Sequence, residues 1–243
     1  SGFSSPLVKQ VGLGQPGYHV IGIQAKVSSL NCNEVEVYFD QKIAPGFFAW
    51  LAPVSQGQAL AGLMTRESPR EHLQEWLADL ASRQKIKLEE YQIRQCGIPM
   101  KPLPVTWKER LIVVGDAAGQ VKPTTGGGIY FGLQSAGIAA AVLHEAIAAQ
   151  DFSSEQLRQY DRQWRTLLLA ELKREYFARR AYQLLSNRQI DGLFKTALKQ
   201  GIVDSLMSEY TSFDNHGSLL LKGLKLTLAS QAKRFGRYLS GWK

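Results

Sequence analysis

Arg110-Leu111-Ile112-Val113-Val114-Gly115-Asp116-Ala117-Ala118-Gly119 runs on through Gln120-Val121-Lys122 into Pro123-Thr124-Thr125-Gly126-Gly127-Gly128-Ile129. The first part reads as a β-type apolar run ending in an acid. The second is a glycine-rich turn, followed by a small-residue helical run from Tyr130 to Ala149. A strand, a carboxylate at its end, a glycine turn and a helix N-terminus form a cradle for a polyhydroxylated, phosphorylated ligand. The Asp116 carboxylate can accept hydrogen bonds from sugar-like hydroxyls. Glycines let backbone approach a ligand closely, and the helix start contributes free N–H groups and its positive dipole end. The bland alternative is an ordinary strand–turn–helix. Three successive glycines opening a helix cost stability, so that alternative needs its own reason for them.

The stretch Arg110 to Ile129 resembles the second FAD-binding motif of flavoproteins of the para-hydroxybenzoate hydroxylase fold. Among them it is most similar to the geranylgeranyl reductases. The resemblance implies FAD as cofactor, with the Asp of the Gly-Asp pair on its ribityl chain and the Pro-x-x-Gly-x-Gly turn along the flavin ring. Carried onto this sequence, the cofactor-binding residues are Gly115, Asp116, Pro123, Gly126, Gly127, Gly128 and Ile129. No catalytic acid is assigned.

Two further segments carry the resemblance. Ala44-Pro45-Gly46-Phe47-Phe48-Ala49-Trp50-Leu51-Ala52-Pro53 is similar to the reductases' aromatic segment, roughly P-x-x-Y-x-W-x-F-P. Phe48 takes the Tyr position, Trp50 the Trp position, and Ala52 replaces the second Phe. The family reading makes Phe48, Trp50 and Pro53 substrate-binding, lining a cavity for a long isoprenoid. The residues alone also fit a strand with Phe48, Trp50 and Ala52 on one face and Phe47, Ala49 and Leu51 on the other. Cys96-Gly97-Ile98-Pro99 resembles the family's G-x-I-P strand. Cys96 itself reads as a small apolar residue or as a thiol near the flavin.

The dinucleotide fingerprint that opens such flavoproteins, G-x-G-x-x-G between a strand and a helix, is not found. Gly12, Gly14 and Gly17 have the spacing, but Tyr18-His19-Val20-Ile21 after them is a strand pattern. Ser1 to Leu13 resembles instead a motif from the middle of the family's sequences, D-G-x-x-S-x-V-R-x-x-L-G-L. The expectation is a protein that starts in the middle of its parent, lacking the ADP-binding segment.

Periodicity predicts strands at 18–27, 34–40, 47–52, 58–64, 91–100 and 111–114. It predicts helices at 68–85 (Ser68 at the N-cap, Pro69 first, Glu71 near the capping-box place), at 128–149, and repeatedly from Phe152 on, near 188–200, 201–211 and 217–239. The class is α+β: an antiparallel substrate-domain sheet, an FAD-contacting strand–turn–helix and a helical C-terminal region. The expected divisions are 1–110, 111–150 and 151–243.

Composition limits the alternatives. The chain is 44% hydrophobic, enough for a real core. Its two cysteines, Cys32 and Cys96, make no disulfide framework and point to a reducing, cytoplasmic setting. His19, His72, His144 and His216 are scattered without metal-ligand spacing, so no metal is expected. No signal peptide is seen, and no apolar stretch of about eighteen residues for a membrane span. Most of the net charge of +8 lies after residue 150, and Asp214 is the last acid. The segment 217–239, with Lys222, Lys225, Lys233, Arg234 and Arg237 against Leu220, Leu224, Leu228, Phe235 and Leu239, reads as a helix for an anionic membrane surface or as a solvated C-terminal helix. A membrane-associated enzyme with a lipid substrate suits the first. No nucleic-acid motif accompanies the charge.

The function that follows from the resemblance is an FAD-dependent oxidoreductase reducing C=C bonds of a hydrophobic isoprenoid, with hydride from reduced flavin. A flavin monooxygenase of the same fold is the competing enzyme. A non-enzymatic truncated module that binds a hydrophobic ligand or a partner is the competing class.

Overall fold

The computed structural model describes residues 2–199. The helices expected at 201–211 and 217–239, and the reading of Ser1, lie outside the described residues. Two compact units are built from interleaved stretches of sequence. One takes the residues up to Val20 together with Gly97–Tyr176; the other takes Ile21–Cys96 together with the residues from Phe177 on.

The second unit holds most of a five-stranded sheet. Strands β1 (His19–Ser29), β2 (Glu36–Tyr38), β3 (Ala49–Ser55), β4 (Gln58–Thr65) and β5 (Ile86–Pro99) lie in the order β2-β3-β4-β1-β5. β3 and β4 form a hairpin in which Ser55 faces Gln58. Gly57 in its turn has φ +70, a conformation that suits glycine. Pairing continues as Trp50 opposite Gly62, and β1 meets β4 with Gln24 opposite Gly62. Pro53 sits where the β3–β4 register shifts, past the end of the β2 pairing, a place where a missing N–H is tolerated.

The period of two puts Ile23, Ala25, Val27, Ala49, Leu51, Ala59, Ala61 and Leu63 on one face. Helix α2 (Pro69–Ser82) covers that face with Leu73, Trp76, Leu77 and Leu80, all fully buried. Each such side chain contributes about 1.5–3 kcal/mol by leaving water. The expected capping box does not form. Ser68 has φ +46 and its side chain makes no cap bond, because a capping side chain needs a β-region backbone. Thr65 ties the entry instead, its Oγ1 donating to the Glu67 carbonyl at 3.0 Å.

The first unit has a short helix α1 (Pro6–Gln10), unforeseen in the sequence, with Ser5 Oγ accepting the Val8 N–H. Strands β6 (Trp107–Lys108) and β7 (Leu111–Ile112) form a small hairpin, with Arg110 at φ +59 in its turn. The strand expected at 111–114 is thus shorter. Val113 and Val114 continue as extended backbone into the turn after it. Helices α3 (Ile129–Ala149) and α4 (Ser154–Tyr182) pack through Phe131, Ala139, Val142 and Ala146 against Leu157, Tyr160, Trp164, Leu168 and Leu172. The last residues of α4 belong to the second unit, where α5 (Asn187–Lys199) follows.

α3 corrects one expectation: it is long and apolar enough to cross a membrane by length and composition. Its alanines and glycines raise its hydropathy while its Phe131 face packs into the helical core. Its opposite side carries Ile129, Leu133 and Ile147, which are 83%, 68% and 63% exposed.

Candidate functional site

The connection between β7 and α3 is a 3-10 turn, Gly115–Ala118, closed by Gly119 at φ +74. A Cβ on Gly119 would collide with the Lys101 carbonyl oxygen, so the turn is pressed onto neighbouring backbone. Gly115, at φ +70, faces open space. Between them Asp116 is exposed, with its carboxylate free to meet a ligand.

Gly128 decides where that carboxylate sits. A Cβ there would come within 2.5 Å of Asp116 Oδ1. The start of α3 therefore leaves a notch that the carboxylate fills. Gly128 is the N-cap of α3 and offers no side-chain cap, so the first N–H groups of a 21-residue helix lack a side-chain acceptor. The turn leading to it is closed by Lys122 N–H to the Gly127 carbonyl at 3.0 Å and Gly126 N–H to the Lys122 carbonyl at 2.8 Å. Gly126 sits at φ +72. Pro123 is buried, Gly127 and Ile129 are exposed. Gly115, Asp116, Pro123 and Gly126 to Ile129 all belong to one unit, and Asp116 and Gly128 touch.

Two residues that fix this turn were missed in the sequence. Gln120 is fully buried. Its Oε1 accepts the Gly115 N–H at 2.7 Å, and its Nε2 donates to Tyr160 Oη at 2.9 Å. Tyr160 Oη in turn donates to the Val113 carbonyl at 3.0 Å. Burial pushes the Tyr160 hydroxyl up to about 12, so it stays a donor. This relay pins the backbone on both sides of Asp116. A Gln beside a glycine is an unremarkable sequence signal, and its partner is 40 residues away.

The chemistry of the donor set fits a flavin nucleotide. A fixed carboxylate offers acceptors to polyol hydroxyls. Uncapped helix N–H groups offer donors to a carbonyl or an electron-rich ring. The glycines leave room for a flat ligand.

The aromatic segment lies in the other unit. Ala49 and Leu51 are fully buried in the sheet–α2 core, while Trp50 and Ala52 lie on the opposite face, half-buried. The alternation read from sequence is the one observed. Trp50 lies flat over its cross-strand partner: a Cβ on Gly62 would collide with the Trp50 ring and lie 2.7 Å from Gln24 Cβ. Phe48 stands 6.1 Å from the Trp50 ring, and Phe39 5.9 Å from Phe48. Phe47 is buried instead, under the Arg179 guanidinium at 4.4 Å, and its carbonyl accepts from Tyr182 Oη at 2.8 Å. Pro53 is half-buried at the end of the same strand. Cys96 is exposed.

A strand–turn–helix with a carboxylate at its turn, together with an antiparallel sheet that carries an aromatic face, defines the class: an α+β fold of the kind found in flavin-dependent oxidoreductases. The family model described as lycopene cyclase protein matches residues 52–197, and the chain belongs to that family. It is 33% identical over 172 residues to the digeranylgeranylglycerophospholipid reductase of Methanocaldococcus jannaschii, covering 69% of this chain and 44% of that protein. The chain thus spans less than half the length of this relative. A crystal structure of a geranylgeranyl bacteriochlorophyll reductase-like protein from Thermoplasma acidophilum superposes with TM-score 0.75 at 22% identity, over 95% of this chain and 60% of that one. The flavin-dependent halogenase CmlS superposes with TM-score 0.56 at 14% identity, over 96% of this chain and 49% of that one. The relatives' names agree with the geranylgeranyl reductase resemblance read from the residues.

Proposed function

We propose that this chain carries the flavin-ring and substrate portions of an FAD-dependent oxidoreductase that saturates C=C bonds of a polyisoprenoid lipid. One observation carries the reading: the Asp116 carboxylate rests in the notch left by Gly128, at the uncapped start of α3. The family is named for lycopene, a polyisoprenoid hydrocarbon, and the methanogen relative for a lipid with geranylgeranyl chains. Their common chemistry is a long apolar branched chain.

Reduced FAD, when bound, would supply a hydride to one alkene carbon, a solvent-derived proton would complete the other, and the protein supplies placement. Asp116 would hold the cofactor by accepting hydrogen bonds from its ribityl hydroxyls. The N–H groups around Gly127, Gly128 and Ile129 would stabilise negative charge on the reduced flavin. Phe48 and Trp50 present an apolar wall against which a prenyl chain lies, with water kept from the alkene. Pro53 stiffens the end of that strand. Contact with an anionic membrane surface through 217–239, in a cytoplasmic protein, is part of the same proposal and rests on sequence alone.

The test is an FAD titration followed by absorbance, on this chain and on a form preceded by an ADP-binding segment of the kind found in the longer relatives. Retention of yellow colour by the longer form, lost in Asp116→Ala, supports the reading. A colourless protein in both forms removes it.

A further inference from the structure

The glycines that admit a ligand also loosen the turn that must receive it. Gly126, Gly127 and Gly128 lose more backbone entropy on ordering than any other residues would. The bonds from the Lys122, Gly126 and Gly127 N–H groups, the last to Thr125 Oγ1 at 3.3 Å, join the turn to itself. Among its side chains, that of Thr124 reaches across to α4. Thr124 Oγ1 donates to Glu175 Oε2 on α4 at 2.5 Å, across 51 residues of sequence.

Glu175 is an unusual group to find there. It is fully buried, and its other oxygen, Oε1, has no hydrogen-bond partner. Glu171 lies one turn earlier on α4 and bonds Arg174. Lys122, also buried, spreads its ammonium over the Phe131 ring at 5.3 Å. Burial raises the Glu175 carboxyl above the ordinary glutamate range; Glu171 adds to this, while Thr124 and Lys122 oppose it. A leucine would fill the same space without a desolvation cost. The carboxyl stands where it meets a residue of the glycine turn, Thr124.

We propose that Glu175 is a positioning residue: through Thr124 it ties the Lys122–Gly128 turn to α4 and holds the turn in the shape that receives the flavin ring. The flavin part rests on the function proposed above. Glu175 touches neither cofactor nor substrate. It acts by ordering the backbone beforehand, which lowers the cost of binding.

The experiment compares Glu175→Gln, Glu175→Leu and Thr124→Val in the full chain, by amide hydrogen exchange over residues 122–128 and over α2 as a remote control. FAD titration follows in the flavin-holding form. Gln keeps a carbonyl acceptor for Thr124 and is expected to leave turn exchange within about twofold of the parent. Leu removes the acceptor for both the Thr124 hydroxyl and its backbone N–H and is expected to speed turn exchange roughly tenfold and to weaken FAD about tenfold; Val removes the hydroxyl bond alone and is expected to speed it about threefold, and both leave α2 unchanged. Unchanged turn exchange in Glu175→Leu overturns the proposal. Should that variant fail to fold, Thr124→Val decides on the same readout, because it leaves α4 intact. Fast exchange in a protein that never holds flavin upholds the tether and removes the flavin reading. Fast exchange with unaltered FAD affinity removes the positioning role.

Discussion

At Gly128 the missing side chain is what gives Asp116 its place. Gly128→Ala puts a methyl 2.5 Å from the carboxylate oxygen, and Asp116 must turn away. The backbone there has φ −106, which alanine adopts freely. The expected result is a loss of FAD affinity of about tenfold or more, since hydrogen bonds to a charged group are worth roughly 1.5–3 kcal/mol. The urea midpoint should move little. Glu175 gives a second prediction. Its carboxyl titrates above the ordinary range, so between the unfolded and folded values the folded protein holds the proton more tightly. Stability is then fully present at low pH and declines as pH rises through that window. Lys122 and Glu171 face the same group and shape the midpoint. Glu175→Gln should flatten that decline in a urea series run from the ordinary glutamate range upward.

Among the elements, the connector from β7 to α3 depends on Gln120. Gln120→Leu leaves the Gly115 N–H and Tyr160 hydroxyl without their partner. A buried unsatisfied group costs about 1–3 kcal/mol, so chemical denaturation should show a loss of that size, and Tyr160→Phe, which unpairs Gln120 Nε2 and the Val113 carbonyl, a comparable one. On the sheet, Gly62→Ala lifts the Trp50 ring off β4. Quenching of Trp50 fluorescence by an added polyprenyl lipid should weaken against the parent; equal quenching would count against the apolar wall. The elements also show what a sequence makes legible. Asp116, the glycines and the alternation from Phe47 to Ala52 are visible because their meaning is local. α2 was legible from its spacing, but not the φ of Ser68, which follows from how the backbone leaves β4. Gln120, Tyr160 and Glu175 were not legible. Their partners are 40 to 51 residues distant, and a buried polar side chain looks like any other until its partner is known.

For the whole molecule, the outer stripe of α3 has a physical consequence. Ile129, Leu133 and Ile147 recur on one side of the helix with Leu143 between them, 36% exposed. An apolar stripe of this kind binds hydrophobic dyes and promotes association. Leu133→Glu combined with Ile147→Glu should reduce dye fluorescence and apparent mass in light scattering, without loss of helical signal. The interleaving of the two units has a consequence of another sort. Among the described residues, the apolar core between the sheet and α2 draws on residues between Ile21 and Ile93. The unit with the glycine turn needs its first stretch, up to Val20, and then waits for Gly97–Tyr176. During translation the sheet core can therefore close while Asp116 is still inside the ribosomal exit tunnel. The opening residues must stay uncommitted through that interval. Codon choice that slows decoding once Ile93 has cleared the exit tunnel would favour this order, and pauses placed earlier would not.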